Sequence, residues 1–382
     1  MAKRKTEAKE EKPVKKPVKA IPETQYSICV PSTIISAANA KNLEQITFIA
    51  YQIAKAATIY NVAEIVVLDV PTSSKKQEIA EKEAAKVVEL GSNKGGKKIK
   101  FNFSDEDILK PTAVEKTKEP ETPVDLSSDL NENNTLLFAT LLQYFMTPPY
   151  LVKSVFANNQ FHTKFKYAQK LPKISTLPFM SNNHVSKDFK EGLTIPKATP
   201  KVTKKNKKVS ALKKLSVTKY VNIGDAEPFV LDHEVPVNVR VTVDLKNKKI
   251  VSPLQAYGLI GSKLSFGYHV RYCANFSSIF TQCSFPEGYT STIYVNCDDY
   301  FNSNDTIEAR NSINKNPDLS PNDGKILLLF GNYNDIDYSF QNDKANLPGV
   351  ENASQMFDGE LPIPKGVKIE DATLISLTKV YH

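Results

Sequence analysis

The chain has 382 residues, 41% hydrophobic and 24% charged, with a formal net charge of +8. One hydrophobic core seldom serves more than roughly 250 to 300 residues, so more than one domain is expected. The longest apolar runs, TLLFATLLQYFM among them, are shorter than the roughly 20 residues that cross a bilayer, so no membrane span is expected. Four scattered cysteines and no apolar leader read as a reducing, intracellular protein.

The charge is unevenly placed. Residues 1–20 carry eight Lys or Arg against three Glu, and residues 197–219 carry nine Lys and no acid. These stretches total +14, leaving −6 for the remainder. A near-neutral to acidic body with basic arms suits nucleic acid, because each phosphate contact releases counterions and adds affinity without sequence preference. For the N-terminal run alone, a solubilising or localisation tail is the simpler reading.

In chain order, residues 1–23 read as a disordered basic tail. YSICVP, from Tyr26 to Pro31, predicts a first strand, and Leu43, Ile46, Ala50, Ile53, Ala57 and Tyr60 share one face of a following helix. AEIVVLDV predicts a second, fully buried strand, and strand–helix–strand is the unit of a parallel sheet. Residues 71–134 lose this pattern and read as a mobile insertion. NTLLFATLLQYFM and YLVKSVF predict two helices split at Pro148-Pro149.

From about Leu171 the character changes to Pro, Lys and β-branched residues. VPVNVRVTVD puts Val235, Val237, Val239, Val241 and Val243 on one face and polar groups on the other, which predicts a strand with one wet face. With EGLTIP before it and KKIVSP after it, this predicts a small antiparallel β-domain over residues 171–263, set into an α/β domain of residues 24–170 and 264–382. KVTKKNKKVSALKK would be one of its loops. GYHVRYC then predicts a strand, NFSSIF a helix and STIYVNC another strand or hairpin arm. Residues 302–324 read as a polar loop. KILLLFGN predicts a strand covered on both faces, followed by a long irregular segment and a last helix from about Ile369.

Five histidines without i, i+4 pairing or a cysteine at ligand spacing predict no metal site. GSNKGGKK lacks the phosphate-loop spacing and is set aside. Arg271 and Lys55 are candidate groups for neutralising phosphate or stabilising charge beside a reacting base; the plainer alternatives are a sheet-edge cap and a solvated lysine.

Several of these pieces together resemble one family. IAYQIAKAATIYNVAEIVVLDV, LLQYFMTPPYLVKSVF, GYHVRYCANFSSIFTQCSFPEGY, ILLLFG, MFD and EDATLISL occur in the order found in SPOUT-class RNA methyltransferases of eukaryotes and archaea. The resemblance implies an α/β fold whose parallel sheet ends in a trefoil knot, with an inserted OB-fold-like β-domain that binds RNA. It also implies an S-adenosylmethionine site built by backbone around Phe330, Gly331, Asn332, Gly366, Val367 and Ala372. Two points depart from the family pattern. Asn332 stands for a second glycine, and GELPIPKGVKI is shortened, with Pro362 and Pro364 in the loop and Lys368 where arginine is usual.

Expected RNA contacts are Lys201, Lys204, Lys205, Lys207, Lys208, Lys213, Lys214 and Arg240. The resemblance further implies a nuclear, nucleolar protein acting on ribosomal precursor RNA among pre-ribosome assembly proteins, as a homodimer or a heterodimer with a paralogue. The alternative is a catalytically inactive assembly factor that keeps the fold.

Overall fold

The computed structural model describes residues 24–70, 134–157, 159–180, 188–196, 203–204, 207–208, 216–253, 255–257, 267–315, 317 and 324–381. The expected basic tail and the 71–134 insertion, apart from Asn134, lie outside these residues.

The chain opens with β1 (Gln25–Pro31), α1 (Leu43–Ile59), β2 (Glu64–Leu68), α2 (Asn134–Phe145) and the single turn α3 (Val152–Val155). Next come β3 (Phe189–Thr194), β4 (Thr203–Lys204), β5 (Lys207–Lys208), β6 (Val217–Asn222), β7 (Phe229–Pro236), β8 (Arg240–Asp244) and β9 (Lys249–Val251). It closes with β10 (His269–Cys273), α4 (Ser277–Thr281), β11 (Ser291–Asn296), α5 (Glu308–Asn311), β12 (Lys325–Gly331), α6 (Tyr333–Asp343), β13 (Gly359–Glu360) and α7 (Ile369–Tyr381).

Six strands form one parallel sheet in the order β10-β2-β1-β12-β11-β13. β12 lies in its interior, and its apolar residues divide by parity between two cores. Ile326, Leu328 and Phe330 pack with Ile46, Ala50, Ile53, Phe138 and Leu377 on the side of α1, α2 and α7. Leu327 and Leu329 pack with Phe276, Ile279, Ile336 and Phe340 on the side of α4 and α6. Both faces are therefore dry, which is why the run has no polar alternation. α1 begins with Asn42 as its cap, whose side chain accepts the Gln45 amide, and it buries the expected Ile46, Ala50, Ile53 and Ala57.

A second sheet is antiparallel, in the order β7-β6-β3-β8-β9. Its edges approach where Asp232 N–H donates to the Lys248 carbonyl at 3.1 Å, so it curls nearly closed around Val221, Ile223, Leu231, Val241 and Val243. Tyr150 Oη donates to the Glu191 carbonyl at 3.0 Å and Asn222 Nδ2 to Ser154 Oγ at 2.6 Å, fastening this sheet to the body.

Three expectations are corrected. The valine alternation is not one strand: a turn with Asn238 at φ +64° separates β7 from β8. Val239 is exposed, and Thr242 and Asp244 are buried with Val241 and Val243, so β8 has no wet face. The segment after β12 is not irregular at its start but forms α6, whose Ile336 and Phe340 cover the second core. The 302–324 loop carries the turn Ser303–Thr306 and α5, and buries Arg310.

Glu64 opens the buried strand β2 at 1% exposure and is held by Arg271 Nε (2.9 Å), Ser284 Oγ (2.6 Å) and Tyr289 Oη (2.8 Å). Burial alone would raise its carboxyl, but the hydrogen bonds from these three groups outweigh that and hold it below the usual glutamate range. Glu64→Ala leaves the Arg271 charge without its partner. It is expected to lower stability by about 3 to 5 kcal/mol, read as a shift in the urea midpoint at constant slope.

Candidate active site

In open parallel sheets, ligands bind beyond the carboxyl ends of the strands, where neighbouring connections diverge. Here β1 and β12 are such neighbours. Gly331 ends β12 at φ +140°, a conformation that strains any side chain, and a Cβ there would also sit tightly at 3.1 Å from Pro31 Cγ. The strand end is latched: Tyr294 Oη donates to the Gly331 carbonyl (2.9 Å), and the Gly331 amide donates to Cys297 Sγ (3.1 Å).

The segment leaving β13 crosses these ends. The Leu361 amide donates to the Tyr294 carbonyl (2.9 Å), the Asp298 amide to the Val367 carbonyl (2.9 Å), and Lys379 Nζ to the Pro362 carbonyl (2.6 Å). Gly366 takes φ +70° beside Tyr300. Of the other residues expected at a cofactor, Phe330 and Ala372 are buried in the first core, and Asn332 caps α6 by accepting the Asn334 amide. Much of the hydrogen-bonding capacity at Gly331, Asn332 and Val367 is thus already engaged within the chain.

A cleft of about 400 Å³ lies on one side of this segment, lined by Asn296, Arg310, Glu360 and Lys365 among others. Arg310 is nearly buried and bridges Asp305 (2.8 Å) and Glu360 (2.6 Å), while Lys365 also bonds Asp305. Arg310 Nε and Glu360 Oε2 are buried without a partner among the described residues. Nothing in the sequence marked Arg310, a lone arginine in an asparagine-rich stretch, for such a place.

A second cleft, of about 610 Å³, lies between the start of α1, Tyr167 and Lys170, Lys368 of the crossing segment, and Glu370 in the first turn of α7. Asn39 lines it and donates to Asp298 Oδ2 at 3.4 Å. Asp298 sits at φ +58°, an uncommon conformation for a residue with a side chain. Burial, and next the neighbouring Glu370 carboxylate, push its carboxyl up to about 6, against the opposing Ile369 amide, Lys368 and Tyr300. Burial raises the Glu370 carboxyl too.

Arg271 is not brought to these clefts. It lies on β10 at the sheet's edge and reaches back to Glu64 at the amino end of β2, with the Ser278 and Ile279 carbonyls binding its other nitrogens. Lys55 is exposed on α1, about 20 Å along the axis from the Asn42 cap. Arg240 joins the two sheets' regions by donating to buried Glu191 (2.9 Å) and to the Met146 carbonyl (3.0 Å), which commits its guanidinium inward. Lys204, Lys207 and Lys208 fall on the ribbon β4–β5, while Lys201, Lys205, Lys213 and Lys214 lie outside the described residues.

Because the Asp298 carboxyl titrates higher folded than unfolded, the folded state keeps its proton longer, and stability falls as pH rises from about 4 to about 6. Asp298→Asn has no such proton and tolerates the same backbone. It is expected to melt above the parent at pH 7.5, with the gap closing at pH 4, in paired calorimetric scans.

Comparison with known proteins places this geometry in context. A family model described as "Putative RNA methyltransferase" matches residues 25–380. The chain is 31% identical over 371 residues to "Putative methyltransferase YMR310C" of Saccharomyces cerevisiae, covering 95% of this chain and 96% of that protein. It is 31% identical over 368 residues to "Putative methyltransferase YGR283C" of the same yeast, covering 93% and 87%. It is 26% identical over 364 residues to the "28S rRNA (uridine-N(3))-methyltransferase" of Homo sapiens, covering 92% and 76%. Among the described residues, no helix is long and apolar enough to cross a membrane.

Proposed function

Since the chain belongs to the RNA methyltransferase family that its residues 25–380 match, we propose that it methylates ribosomal RNA with S-adenosylmethionine as donor. The observation that carries this reading is the pair of clefts flanking one segment at the carboxyl ends of β11 and β12. The smaller suits the donor and the larger the acceptor, and transfer requires that the two meet directly along this segment.

The 400 Å³ cleft falls within the size range of small-molecule sites. Its lining side chains fit the donor's chemistry: Asn296 and Glu360 can accept from amino or hydroxyl groups, and Lys365 can donate to a carboxylate. When bound, S-adenosylmethionine supplies an electrophilic methyl group. The chain's part is to hold the acceptor in line, and positioning by itself lowers the barrier by several kcal/mol, about 7 or more at best. Methylation at uracil N3, the atom named for the human relative, also releases a proton. Glu370, which lines the larger cleft and is held above the usual carboxylate range, is the group that can receive it.

The wider reading is a SPOUT-type fold with its C-terminal segment threaded into a knot, and an inserted OB-like module over residues 171–263 within a body of residues 24–170 and 264–382. It works in the nucleolus on ribosomal precursors among pre-ribosome assembly proteins, as a homodimer or paired with a paralogue. A second reading, an assembly factor without catalysis, is favoured by the salt bridges Lys365–Asp305–Arg310–Glu360 that line the smaller cleft.

Calorimetric titration of about 100 μM protein with S-adenosylmethionine separates the two. The catalytic reading expects binding tighter than about 100 μM, and methyl incorporation into large-subunit rRNA detected by nucleoside mass spectrometry. Absence of heat under those conditions leaves the assembly reading. Gly331→Val is a poor probe of the site, since its side chain would strain the fold against Pro31 whether or not ligand binds.

A further inference from the structure

From Glu132 to Asp188 the sequence has six lysines and no acidic residue between those ends. The middle of this stretch forms two short turns, His162–Lys166 and Ala168–Lys170. They are fixed to the body by Phe165, which is buried, stacks on Tyr144 at 4.8 Å and meets Phe156 edge-on at 5.1 Å. With that ring inside, Lys166, Lys170 and Lys173 are left exposed on the surface.

Two of these lysines flank an aromatic ring: Lys166 Nζ lies 4.8 Å and Lys170 Nζ 5.8 Å from the centre of Tyr167. Tyr167 and Lys170 form one wall of the 610 Å³ cleft. Phe48, 48% exposed on α1, contributes a second aromatic, while Lys368 and, in the first turn of α7, Glu370 line the cleft as well. Cations along a path with aromatic rings at a concave end are the elements that hold single strands, phosphates by charge and bases by stacking. A duplex keeps its base faces covered and could use only the cations.

We propose that single-stranded RNA runs along the His162–Lys173 surface, and that one unstacked base enters the 610 Å³ cleft against Tyr167 and Phe48, with Glu370 accepting a hydrogen bond from its edge. This rests on the RNA-methyltransferase reading above and assigns the substrate path to residues other than the lysine-rich stretch 197–219.

The test uses the full chain, a fluorescein-labelled 12-nucleotide oligouridine and anisotropy. Tyr167→Ala is expected to weaken binding by about five- to a hundredfold, and Tyr167→Phe to retain it. The triple variant Lys166→Ala, Lys170→Ala, Lys173→Ala is expected to flatten the dependence of log K on log salt by about 0.7 for each phosphate it no longer neutralises. In the parent, a 4-thiouridine-substituted strand is expected to photo-crosslink within residues 161–173 or to α1. Variants that bind as the parent does, or crosslinks found only elsewhere, overturn the inference and leave the RNA reading standing. So does a parent that binds large-subunit rRNA but not the oligonucleotide. A parent that binds neither RNA overturns both.

Discussion

The hydrogen bond between the Asp298 amide and the Val367 carbonyl joins a strand end to the segment that crosses it, and the site depends on that junction. β12 supplies the platform: interior to the sheet and dry on both faces, it leaves its carboxyl end little freedom to move. Tyr294 and Cys297 then hold Gly331, and Lys379 holds Pro362, so the crossing segment is tied down beside both clefts. Neither cleft would have its shape if that segment swung free.

The crossing segment also sets the electrostatics. On one side, Arg310 and Lys365 neutralise Asp305 and Glu360. On the other, Asp298 and Glu370 share partly desolvated space with Lys368 as nearby cation, and their carboxyls rise. Opposite charge environments a few residues apart are what a reaction needs when it must hold a charged donor and still accept a proton. The same salt bridges that order the smaller cleft also engage the charged groups that line it.

Two other buried ion pairs act far from the clefts. Glu64–Arg271 ties β2 to β10, and Glu191–Arg240 ties the second sheet to the end of α2. In each, removing one partner would strand a charge in a dry place, so these pairs constrain the arrangement more than they strengthen it. They also explain why two arginines that look suited to phosphate are turned inward.

Periodicity in the chain alone determined β1, α1, β2, α2, β12 and α7, because each is long enough for its apolar residues to declare a spacing of two faces or one. It also determined that Gly331 ends a buried strand. The split at Asn238, the helix α6 in YNDIDYSFQND, and the inward turn of Arg240 and Arg271 were decided by tertiary structure. The reason is physical: a polar helix is stabilised by a few apolar contacts to a core, and a guanidinium goes wherever a buried carboxylate waits, whether or not the two are near in the chain. Both clefts belong to this second class, since their walls come from segments far apart in the chain that only the folded sheet brings together.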